Sequence, residues 1–96
     1  MSVALVLNGF CDKLEAIYDS VQNGPDRIDS KQLRAQLIKW LESDDNTLLI
    51  LRTRFVHFEI EQVKRNDFLM QKYFSDAYAN VCTCLNRQPK NLKICF

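Results

Sequence analysis

Six residues in the middle of the chain, Leu37, Leu41, Leu48, Leu51, Phe55 and Phe58, recur at steps of 4, 7, 3, 4 and 3. That rhythm puts them on one side of a helix, as the seam of a coiled coil or bundle. Leu69 prolongs the row, and Asp44 interrupts it before Phe58. Two further runs carry the same signal. Val3, Leu7, Phe10, Leu14, Ile17 and Val21 step by 4, 3, 4, 3 and 4, while Met70, Phe74, Ala77, Val81 and Cys84 step by 4, 3, 4 and 3. Two glycines and two prolines leave little material for the turns of a many-stranded sheet. The fold class read from this pattern is all-α, with three helices over about 2–22, 30–64 and 67–85.

The punctuation agrees. Asn23-Gly24-Pro25 ends the first run, because Gly accepts a left-handed cap and Pro cannot continue a helix. Asp29 or Ser30 caps the next, and the short loop between makes the first two helices antiparallel neighbours. Asn66-Asp67 reads as a break and a fresh cap. Ser43-Asp44-Asp45-Asn46 has two readings, since such residues cap helices well and propagate them poorly. Either a helix ends near Glu42 and another begins near Asn46, or one helix runs through. Leu41 and Leu48 keep phase at seven residues, which favours the continuous rod.

Ninety-six residues make one domain, taken as 1–86, followed by a flexible basic tail over 87–96 with Arg87, Lys90 and Lys93. Leu49, Ile50, Val56 and Ile60 lie off the main seam and exceed what one antiparallel neighbour covers. A homodimer with a four-helix core absorbs that surface, and the face around Ile50 and Ile60 also suits another protein as partner.

The chemistry of catalysis is hard to assemble from these residues. The single histidine, His57, falls mid-helix beside Val56 and Phe58, with nothing to orient it. Two glycines make no phosphate loop. Cys82-Thr83-Cys84 lacks the two-residue gap of a zinc pair, so no metal, no cofactor and no enzymatic activity are expected. No run approaches a membrane span, and the four cysteines read as reduced thiols of an intracellular protein. What remains is a basic row behind the seam. Lys39, His57 and Lys64 lie on the far side, with Arg54 and Arg65 on a flank, and on a continuous helix they span about 39 Å. Such a row fits the shape and phosphates of an RNA duplex, which is recognised without reading bases. The net charge of +1 weighs against a general nucleic-acid binder, so a protein-interaction module remains the alternative.

Three stretches resemble the small RNA-silencing suppressor of nodaviruses: Lys13-Leu14-Glu15 with Gln22, the helix opening Ser30-Lys31-Gln32-Leu33-Arg34-Ala35, and Val63-Lys64-Arg65-Asn66. The likeness covers residues 3–70, with no proline at the position of Asn66 and a longer third helix here. It implies a helical dimer that binds double-stranded RNA along one face and suppresses silencing in the host cytoplasm. By position it carries the RNA-binding role to Arg54, with Lys64 and Arg65 beside it.

Overall fold

A computed structural model of the chain describes residues 2–22, 24, 27–43, 45–54 and 59–92, without the side chains of residues 46 and 52–54. The first helix, α1 (Val3–Ser20), starts where the Ser2 hydroxyl accepts the Leu5 amide at 3.3 Å. Its seam turns inward: Leu7, Phe10, Leu14 and Ile17 are buried, and Cys11 and Tyr18 widen the buried face. Gly24 takes φ +112° in the loop, a conformation that suits glycine. The Asp29 amide then donates to the Val21 carbonyl at 2.8 Å, and the Asp29 carboxylate accepts the Gln32 amide. That cap opens α2 (Ser30–Leu41), which buries Leu33, Leu37, Trp40 and Leu41.

The rod expected over 30–64 is three helices. After α2 come α3 (Asn46–Arg54) and α4 (Ile60–Arg65), and α5 (Asp67–Leu85) completes the five helices of the described residues. The helix anticipated without interruption through the Asp44 region stops at Leu41. Its last turn is closed by the Ser43 amide and hydroxyl, both bonded to the Trp40 carbonyl, at 3.0 and 2.6 Å. Asp45 makes the corner. One carboxylate oxygen accepts the Thr47 amide at 2.9 Å and so caps α3; the other accepts the Trp40 indole N–H at 2.9 Å. Lys13 of α1 completes the arrangement, 3.6 Å from Asp45 and 4.8 Å from the Trp40 ring centre. At the next junction Asn66 closes α4 and caps α5, accepting the Leu69 amide at 3.2 Å.

Because the chain folds back, much of the apolar surface described on α2, α3 and α4 packs within the chain. α1 lies against α2, α3 and α5, and α4 joins α2 to α5. Leu37 and Leu41 on α2 and Leu48 and Leu51 on α3 share one core with Val63 and Met70. Phe10, Trp40 and Phe74 stack through it at ring separations of 5.3 and 5.7 Å. Ile50 and Ile60 are half-buried against the same core. Of the off-seam apolar residues, Ile50 and Ile60 are thus taken up by the chain's own core, whereas Leu49 stays 62 % exposed. Phe55, His57 and Phe58 lie outside the described residues.

The segment expected as a flexible tail is anchored as far as residue 92. Asn86 ends α5 in the left-handed region (φ 53°), which turns Arg87 back toward α1. One Arg87 nitrogen, Nη1, donates to the Asn8 side chain at 3.0 Å, and Nη2 to Asp12 at 2.8 Å and Glu15 at 3.2 Å. Glu15 is buried at 7 % exposure, and its carboxylate also accepts the Tyr78 hydroxyl at 2.8 Å. The Lys90 amide in turn donates to the Tyr78 oxygen, and Leu92 packs on the core. Burial holds the Tyr78 hydroxyl protonated, well above its usual range, and its bond to Glu15 acts in the same direction.

Two predictions follow from these networks. Burial by itself would raise the Asp45 carboxyl, but its bonds from Thr47 and Trp40 and the charge of Lys13 outweigh burial and hold it below the usual aspartate range. A carboxyl depressed on folding stabilises above its unfolded pKa, and that contribution is lost as pH falls through the folded value. Chemical-denaturation midpoints of the wild type should therefore drop below about pH 4 more steeply than those of Asp45→Asn; parallel profiles would remove Asp45 from the acid response. Arg87→Ala leaves the buried Glu15 with only the exposed Lys90 ammonium, 3.7 Å away, as a cation and should cost about 3 kcal/mol. Glu15→Ala leaves Arg87 able to reach water and Asp12 and should cost less, about 1–3 kcal/mol. Urea melts giving the reverse order would refute this pairing.

Candidate nucleic-acid interface

The inward face of α2 leaves the opposite side for charge. Lys31, Arg34, Ala35, Ile38, Lys39 and Glu42 line one shallow groove along it, closed at the end by Ser43. Lys39 also borders a second groove on the other side, with Lys13, Ile17, Gln36 and Trp40. The basic surface thus crosses from α2 toward α1. On its other flank, Arg34 Nη2 donates to the Lys64 carbonyl at 3.4 Å, which sets the end of α4 beside α2.

These cations differ in how far their charge is committed. Arg34 Nε lies 2.6 Å from Asp67 on α5, so one side chain links α2, α4 and α5. Lys64 pairs with Glu61 at 3.0 Å within its own helix, and Lys13 pairs with Asp45. Lys31, Lys39 and Arg65 are exposed and make no ion pair among the described residues. Glu42 in the same groove reduces the local positive potential.

The basic row drawn from the sequence is redistributed. Lys39 lies on the exposed side of α2; Lys64 and Arg65 close α4 next to it. Arg54 is the last residue of α3, with its side chain undescribed, and His57 lies outside the described residues. No single helix aligns Lys39, Arg54 and Lys64, because the chain turns at Asp45 and starts a new helix at Ile60. Lys31 and Arg34 were not among the expected contacts. Their spacing to Ala35, Ile38 and Glu42 puts all five on one side of α2, and that pattern was available once the helix was taken by itself.

Among the described residues no three His, Cys, Asp or Glu side chains are grouped to hold a metal ion, and no helix is long and apolar enough to cross a membrane. No protein-family model, curated protein or solved structure matches the chain.

The Arg34 linkage is solvent-exposed, with side-chain exposures of 41 % for Arg34 and 53 % for Asp67. Arg34→Ala should consequently cost about 1 kcal/mol or less in a urea melt. A loss above about 3 kcal/mol would show that the three-helix junction depends on it far more than an exposed pair allows.

Proposed function

We propose that this chain binds double-stranded RNA through the exposed face of α2 and its α4 flank, and that it suppresses RNA silencing by sequestering the duplex. The observation that carries the reading is the placement of Lys31 and Lys39. Both are exposed, neither is neutralised by an ion pair among the described residues, and they stand on the groove that Arg34 shares. Eight residues of helix separate them by about 12 Å, a distance of a few phosphate steps along one strand. Rigid, spaced cations of this kind hold a duplex by its backbone and carry no base information. The suppressor role comes from the resemblance of the α2 opening and the α4 end to the nodavirus protein. Ile50 and Ile60, the basis of a protein-partner face, are half-buried on the core, which favours the RNA reading over that alternative.

The test is a gel shift with a short blunt RNA duplex at low salt, run beside sedimentation to give the bound stoichiometry. Lys31→Ala/Lys39→Ala should weaken binding roughly tenfold or more and make the salt slope shallower by about 2 while leaving the circular-dichroism spectrum unchanged. No shift with wild-type protein would end the reading. Arg54→Ala separates the two supports. Complete loss through Arg54 alone, with the double lysine variant binding normally, would overturn the α2 face.

A further inference from the structure

We infer that Cys11 and Cys82 form an oxidisable dithiol that closes to a disulfide between α1 and α5. Their sulfurs lie 3.9 Å apart, both side chains are buried, and both thiols are free. A disulfide needs about 2.05 Å, so each sulfur travels roughly 1 Å, within reach of a small side-chain rotation. The two helices are already held at this level by neighbouring contacts. Glu15 meets Tyr78 one turn along α1, and Arg87 reaches Asn8 and Asp12 on the other side. Closure therefore ties elements that are packed in place.

Cys82 is the nearer of the two to solvent. Cys82 borders an open cleft of about 450 Å³ between the end of α5 and the anchored segment, lined also by Tyr78, Arg87, Pro89 and Lys90. Cys11 lies behind it, fully buried on α1. Burial chiefly, and then the neighbouring Cys82, push the Cys11 thiol up to about 12, which leaves it protonated and slow to react directly. The order is accordingly fixed by access. Hydrogen peroxide transfers one oxygen to the Cys82 sulfur; its O–O bond breaks and the first water leaves, giving a sulfenic acid. The Cys11 sulfur then attacks the Cys82 sulfur, the S–O bond breaks, and the sulfenic hydroxyl departs with the Cys11 proton as a second water. Two thiols have lost two electrons and peroxide has gained them.

Cys84, two residues along α5, is exposed and cannot share this role, since it stands on the outer side of the helix. It provides the internal control. The experiment treats wild-type protein and a Cys84→Ser variant with stoichiometric hydrogen peroxide, alkylates under denaturing conditions, digests with trypsin and measures mass without reduction. The expected product has lost 2 Da and joins the peptide ending at Lys13 to Tyr73–Arg87, with fragment ions assigning Cys11 and Cys82. It should form in both proteins and raise the melting temperature by at least about 5 °C, reversibly with dithiothreitol. Recovery of Cys11 and Cys82 as alkylated thiols would overturn the inference. So would a wild-type cross-link confined to Cys84 or Cys95, or a Cys11–Cys82 product that melts no higher than the reduced protein.

Discussion

The carboxylate of Asp45 fixes where the middle of this chain turns. It caps α3 through the Thr47 amide, receives the Trp40 indole from the end of α2, and faces Lys13 from α1. Each bond is ordinary; their convergence on one side chain ties three helices at a single point. A straight rod could not bring Leu48 and Leu51 into the same core as Leu37 and Val63. Trp40 is central in both senses. Its polar edge belongs to the corner, and its rings stack between Phe10 and Phe74. The turn and the core are thus coupled through one residue.

The helical class could be read from the apolar steps, and α1 and α5 were legible almost to their ends. Ser2, Asp29 and Asn66 cap helices as local chemistry dictates. The interruption after Leu41 was harder. Leu41 and Leu48 are seven residues apart, so periodicity looks the same whether the helix continues or restarts. The deciding contact, Trp40 to Asp45, depends on side-chain direction rather than spacing. The anchoring of residues 87–92 was invisible for another reason. Arg87 finds its partners more than seventy residues away, and no local pattern announces that. Of the candidate surface, Lys39 was recognised, whereas Lys31 and Arg34 were obscured by treating α2 as the opening of a longer rod.

The distribution of charge is more informative than its near-zero sum. Lys13, Arg34, Lys64 and Arg87 are each matched to a carboxylate that joins or steadies helices. Within those pairs the opposite charges offset one another and contribute little outward field. Lys31, Lys39 and Arg65 retain their charge for solvent or for a ligand among the described residues. A net charge of +1 does not exclude a local basic face, since Asp12, Glu15, Asp45, Glu61 and Asp67 are each paired to a cation other than Lys31 and Lys39.

Glu15 has a consequence for how the molecule is made. Its carboxylate is enclosed by Tyr78 and Arg87, both supplied by the far end of the sequence. During vectorial synthesis α1 emerges before α5 and must wait, with that charge in water, until Tyr78 and Arg87 have left the ribosome. Closing so long a loop late in the process sets a lower limit on the time to the native state. Until then α1 can pack its apolar stripe only on α2 and α3, and the part that faces α5 stays open.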